Sequence, residues 1–165
     1  MALEIERRFL IKNDNWKKFI NKKVYIEQGY LSKSLDGWII RVRLIGENSK
    51  IALKKHIKGF TNLEFEYSIP RSDAETIMSN LSNIIKKDRF FLEIEKKSWI
   101  IDCFKANNYP LEIAEIELSS EEEDLFLPSF ISNEITGLTQ YSNFNLSKNP
   151  FSEWQEGYLT TFNSD

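Results

Sequence analysis

The sequence predicts an α+β fold in which eight antiparallel strands close into a β-barrel with helices packed outside. Eight segments alternate in the two-residue period of a strand, most of them separated by short turn-like breaks. Along these segments one face is apolar and the other charged, and pairs of neighbouring same-face charges such as Arg41 and Arg43, Glu64 and Glu66, or Glu115 and Glu117 carry one sign. Closing such a sheet hides its edges, turns the charged face into a bore and leaves the apolar face for covering helices.

The 165 residues are 41% hydrophobic and 13% aromatic, with twelve Phe and four Trp against six Gly and four Pro, which suits one domain with a substantial core. Without a linker-like stretch, that domain is expected over residues 1–151, with a tail at 152–165 that the sequence leaves unassigned. A formal net charge of -3 lacks the basic excess of a nucleic-acid or membrane-surface binder, so neither partner is expected. Cys103 is the only cysteine and cannot form an intramolecular disulfide. The first ten residues carry Glu and Arg where a signal peptide would be apolar, and no apolar run could span a bilayer, so a cytoplasmic location is expected.

Leu3 to Ile11 alternates as the first strand, and Asn13 or Asp14 can cap a short helix carrying Trp16, Phe19 and Ile20. Val24 to Leu31, Trp38 to Ile45, Lys50 to Ile57 and Leu63 to Ile69 are rich in β-branched and aromatic residues, and turns such as Ser34 to Gly37 and Gly46 to Asn48 suggest hairpins. Pro70 ends the last of them, after which Ser72 is expected to cap a helix with Ala74, Ile77, Met78 and Leu81 on one face. Ile84 to Lys96, Ser98 to Phe104 and Leu111 to Leu118 complete the eight strands. Beyond Ser119 the pattern reads as helical or irregular, with Ser142 capping a short helix that ends before Pro150.

Glu4, Glu6 and Arg8 share one strand face, as do Arg41 and Arg43, Glu64 and Glu66, and Glu115 and Glu117. For a single strand this is an ordinary solvated face. Taken together the pattern differs, because like charges side by side cost stability unless ligands of opposite sign relieve them. Carboxylates two residues apart on a strand are about 7 Å apart, and pairs from neighbouring strands can converge on a hard divalent cation such as Mg²⁺. Arg41 with Arg43, and Lys87 with Arg89, supply donors for a polyanion, so several phosphates bridged by metal fit the bore.

The ordered segments Glu4 to Leu10, Gln28-Gly29-Tyr30-Leu31, Arg41-Val42-Arg43-Leu44, Leu53-Lys54, Glu64-Phe65-Glu66-Tyr67, Lys87-Asp88-Arg89-Phe90, Trp99 to Asp102 and Ala114 to Leu118 resemble the motifs of the CYTH superfamily, the triphosphate tunnel metalloenzymes. Glu134-Ile135-Thr136-Gly137 and Tyr141-Ser142-Asn143 resemble the closing segment of its bacterial members. The resemblance implies an eight-stranded tunnel that binds a triphosphate and a divalent metal, Mg²⁺ or Mn²⁺. It places metal ligands at Glu4, Glu6, Glu115 and Glu117 and phosphate-binding groups at Arg8, Arg41, Arg43, Lys54, Lys87 and Arg89. Glu4, Glu6 and Glu117 are thereby also the catalytic candidates. Glu64, Glu66 and Asp102 are further candidates; Glu66 or Asp102 could serve the metal or merely pair with a basic neighbour. The family's usual Lys is Arg8 here, which suits phosphate binding and disfavours a deprotonated role. Tyr30, which stands where some relatives pair a tyrosine with that Lys, is a further catalytic candidate.

The resemblance implies hydrolysis of a triphosphate. Inorganic tripolyphosphate is the expected substrate, since no separate signature for a base or sugar is visible. A nucleoside or thiamine triphosphatase, an adenylate cyclase and a non-catalytic polyphosphate-binding module are the alternatives. His56 and Cys103 lack partners for a triad or zinc site, Trp38 and Trp99 read as core, and Glu121 to Asp124 reads as a solvated helix start. Trp154, Tyr158 and Phe162 could plug one mouth of the bore, dock on a second subunit as a homodimer, or be loose.

Overall fold

A computed structural model describes residues 3–154. Strands β1 (Leu3–Ile11), β2 (Ile20–Lys33), β3 (Trp38–Ile45), β4 (Asn48–Lys58) and β5 (Thr61–Ser68) precede helix α1 (Arg71–Ser79). After it come β6 (Ile85–Ile94), β7 (Lys97–Phe104), β8 (Glu112–Glu117), β9 (Ile131–Glu134) and α2 (Asn143–Lys148). Hydrogen bonding runs β5-β4-β3-β2-β6-β7-β8-β1, and β1 returns to β5, so eight antiparallel strands form a closed barrel. Among the described residues no helix is long and apolar enough to cross a membrane.

The closure is incomplete along β1. Leu3 to Ile5 pair with Leu63 to Thr61, whereas from Phe9 onward the same edge is taken by β9, with Phe9 opposite Glu134 and Ile11 opposite Ile131. This ninth strand corrects the irregular structure expected after Ser119. It is four residues long, too short to show a period, and it forms because β5 leaves an edge of β1 free.

Directly opposed residues of antiparallel strands share a face. Glu6 opposite Glu117, Arg8 opposite Glu115, Arg41 opposite Tyr30, and Lys54 opposite Glu64 therefore point one way, into the bore. Outside, Phe9, Trp99, Ile101, Ala114 and Ile116 pack with Trp16 from a 3-10 turn (Asp14–Phe19), capped by Asn13, one of the two caps the sequence offers, while Ile20 falls in β2 and not on the turn. Elsewhere on the outside α1 lays Ala74 and Met78 against Val42, Leu44 and Ile51. Gly29 permits that approach, because a β-carbon there would stand 2.6 Å from Leu81 Cδ1.

Two local readings are corrected. Helix α1 starts after Pro70, whose fixed φ of -55° presets the first turn, and no side chain caps it; Ser72 lies inside. Glu121 to Asp124 starts no helix. Glu121 accepts from Phe60 N (3.3 Å) and Thr61 Oγ1 (2.5 Å), tying down the β4–β5 hairpin, while Glu123 accepts from Ser119 N and pairs with Lys97.

Helix α2, capped by Ser142 Oγ on Asn145 N (3.2 Å), does not cover the outside of the barrel but stoppers one end of it. Inward residues at that end, Leu10, Ile85, Phe104 and Ile113, pack with Tyr141, Leu146, Phe151 and Trp154. The bore expected to be charged throughout is therefore apolar at this end, because a wall without charges is covered by the chain's own C-terminal segment. Trp154 belongs to this stopper; Tyr158 and Phe162 lie outside the described residues.

Candidate active site

Charge is sorted around the barrel wall. Acids occupy an arc of three adjacent strands, with Glu115 and Glu117 on β8, Glu4 and Glu6 on β1, and Glu64 and Glu66 on β5. Bases face them from Lys50 and Lys54 on β4, Arg41 and Arg43 on β3, and Lys87 and Arg89 on β6. A cavity of about 160 Å³ lies between the arcs, lined by Glu4, Glu6, Arg41, Arg43, Lys54, Glu64, Arg89, Glu115, Glu117 and Asn143 among others. A second cavity of about 380 Å³ shares Glu6, Arg41, Lys54 and Asn143 with it and opens between the β4–β5 hairpin and residues 136–145. Arg8, Tyr30 and His56 also line this side chamber.

The deepest charges form a lattice. Asp102 accepts two bonds of 2.7 Å from the Arg89 guanidinium and one of 2.5 Å from Lys87 Nζ, and neither Asp102 nor Lys87 is exposed at all. Burial alone would raise the Asp102 carboxyl, but Arg89 and Lys87 hold it far below the usual carboxylate range. Lys87 is pushed down to about 7 by burial, and Arg89 and Arg43 nearby add to this against the pull of Asp102. Arg89 reaches on to Glu115 (3.1 Å), whose other oxygen accepts from Arg8 Nε (3.1 Å). Arg8 Nη1 bonds the carbonyl of Tyr141, while Arg8 Nη2 is buried without an acceptor among the described residues.

Nearer the open side Lys54 stands among three acids. It contacts Glu4 and lies 3.6 Å from Glu6 and 3.7 Å from Glu64. Burial opposes its charge, yet Glu6, Glu4 and Glu64 outweigh that and raise it to about 12. Burial and the neighbouring Glu6 push Glu4 up to about 8. Arg41 pairs with Glu64 (2.8 Å) and Glu66 (3.2 Å) through Nη2 and leaves Nε buried without an acceptor among the described residues. Arg43 Nε donates to Gln28 Oε1 (3.0 Å), and Gln28 in turn donates to the Tyr30 hydroxyl (2.7 Å). Burial, with Arg41 and Arg89 nearby, lowers Arg43 to about 9.

All the expected site residues thus meet in or beside one bore, in different circumstances. Glu66 sits at the rim, shared by Arg41 and Lys50. Both oxygens of Asp102 are committed to bases. The Tyr30 hydroxyl faces Gln28, and its ring meets Phe144 edge-on at 5.4 Å. Gln28, fully buried, and Asn143, which lines both cavities, stand within the motifs but carry no expected role. Strand alternation from Tyr30 could have placed Gln28 inside; nothing local in the sequence marks Asn143, because the first turn of α2 delivers it from far along the chain.

The donor set at Glu4, Glu6, Glu115 and Glu117 fits a hard divalent cation: Glu6 and Glu117 are directly opposed like charges, and Glu117 has no basic partner among the described residues. Among those residues no three carboxylates already form a cage. The acids turn instead to Lys54, Arg8 and Arg89, whose cationic heads supply the positive charge in this arrangement.

No family profile matches the chain. It is 35% identical over 158 residues, 94% of its length and 100% of the relative's, to an inorganic triphosphatase of Acetivibrio thermocellus. The crystal structure of another inorganic triphosphatase superposes with a TM-score of 0.66 at 25% identity, over 89% of this chain and 95% of that one. A protein of Hippeastrum, described as a putative adenylyl cyclase with a dominant triphosphatase activity, shares the fold alone, with a TM-score of 0.55 at 11% identity over 74% of this chain and 81% of that one. With a closed eight-stranded barrel, a bore walled by opposed acids and bases, and this degree of likeness along nearly its whole length, the chain belongs to the inorganic triphosphatases of the CYTH superfamily.

Proposed function

We propose that the chain hydrolyses inorganic tripolyphosphate to diphosphate and phosphate in this bore, with Mg²⁺ or Mn²⁺ as cofactor. The observation that carries the reading is a pair of buried guanidinium nitrogens, Arg8 Nη2 and Arg41 Nε, on the bore wall with no acceptor among the described residues. Such donors cost stability until an acceptor arrives, and a polyphosphate brings charged oxygens in number. Arg43, held by Gln28 rather than by a carboxylate, is a third cation available to it.

Glu4, Glu6, Glu115 and Glu117 would hold the cation, which withdraws charge from phosphate oxygens and makes water a better nucleophile. The chain itself supplies a preorganised basic wall. Asp102 fixes Arg89 and Lys87 before substrate arrives, so little reorganisation accompanies the reaction. Arg41, Arg43 and Arg89 then stabilise charge on the departing diphosphate. Arg8, which keeps its proton far more firmly than a lysine, binds oxygen and takes no part in proton transfer.

Purified protein incubated with tripolyphosphate, ATP or thiamine triphosphate, in Mg²⁺, Mn²⁺ or EDTA, is expected to release phosphate fastest from tripolyphosphate and only with metal. Glu117→Gln, at an exposed rim position, should keep its circular dichroism and lose turnover. Tight tripolyphosphate binding without metal-dependent release would turn the assignment into a non-catalytic module. Cyclic nucleotide as the main product would turn it into a cyclase.

A further inference from the structure

Of the residues common to both cavities, Glu6, Arg41 and Lys54 are charged and ion-paired, and Asn143 alone is neutral. Its Oδ1 lies 3.1 Å from Lys87 Nζ. Lys87 is ion-paired with Asp102 and donates to the carboxamide oxygen, which turns the NH₂ away from it. That NH₂ has no acceptor among the described residues. Lys87 itself is unexposed, with Asp102 on one side and the Phe104 ring 5.3 Å away on another.

Residue 143 is held firmly. The Tyr141 carbonyl bonds Arg8, the Ser142 hydroxyl caps Asn145 N, Phe144 packs on Tyr30, and Leu146 is buried in the stopper. A donor fixed in this way, and polarised by an ammonium behind its oxygen, is a strong one.

Resting on the triphosphate reading above, we propose that the Asn143 carboxamide binds a phosphoryl oxygen where the bore meets the side chamber, so that buried Lys87 acts on the substrate through it. Asn143 is then a substrate-binding residue and Lys87 a positioning residue.

The test is steady-state kinetics on tripolyphosphate with Mg²⁺, together with thermal unfolding of the ligand-free proteins. Asn143→Ala is expected to raise KM about tenfold with kcat changed less than about threefold, as for one lost bond to a charged acceptor. Asn143→Asp keeps the size and the acceptor for Lys87, so it should unfold like the wild type and raise KM further by repulsion; it carries the test if the alanine variant does not fold. KM within about twofold of wild type in both variants, beside an active wild type, overturns the proposal. A lowered unfolding temperature with unchanged KM does the same, since it leaves only a structural role. A wild-type protein that neither releases phosphate nor is stabilised by tripolyphosphate overturns instead the reading on which this rests.

Discussion

Glu4 shows how the bore works on a single side chain. Burial and then Glu6 raise its carboxyl to about 8, so the folded chain holds that proton more tightly than the unfolded chain, whose value is 4.5. The resulting stability is complete below 4.5 and is lost as pH rises to about 8. Metal-free protein should therefore melt at lower temperature at pH 8 than at pH 5, Glu4→Gln should flatten this slope, and Mn²⁺ should restore the loss at pH 8; a slope unchanged by Glu4→Gln refutes the cause. At this scale alternation made Glu4, Glu6, Arg41, Arg43, Glu115 and Glu117 legible, since a strand sends every second residue the same way. Which acid meets which base was not legible. Arg8 to Glu115 is a neighbouring-strand contact, but Arg8 to the Tyr141 carbonyl and Lys87 to Asn143 span more than fifty positions of sequence.

Hairpin β4–β5 depends on a residue far from it in sequence. Glu121 binds Phe60 N and Thr61 Oγ1 where the hairpin turns, next to Asn62, whose amide reaches Glu4 Oε2 at 3.5 Å. Glu121→Ala removes a charged acceptor of two donors and is expected to cost about 2 kcal/mol in urea unfolding. An unchanged midpoint would show the clamp to be idle. The eight long strands were readable because each carries its own period; the acidic run looked solvated because its partners come from another hairpin and from Ser119 and Lys97. The same holds for β9 and for α2, whose positions follow from an edge and an opening that exist only once the barrel has closed.

Over the whole molecule, closure brings an acidic arc and a basic arc face to face, and among the described residues Glu117 on one and Arg41 Nε on the other are left without a partner. Ligands that complete both should stabilise the native state by linkage. Tripolyphosphate with Mg²⁺ at about a hundred times its dissociation constant is expected to add about 2.7 kcal/mol, read as a rise in unfolding temperature that EDTA reduces. No rise with both present would mean that the arcs serve each other alone.

One end of the barrel is sealed by Leu10, Ile85, Ile113 and Trp154 together with their neighbours. Access to the bore is accordingly left to its far end and to the side chamber between the β4–β5 hairpin and residues 136–145. On the triphosphate reading, substrate and products travel by those two ways and not through the sealed end. Traffic through the barrel is thus one-sided, fixed by a seal that the chain carries with it.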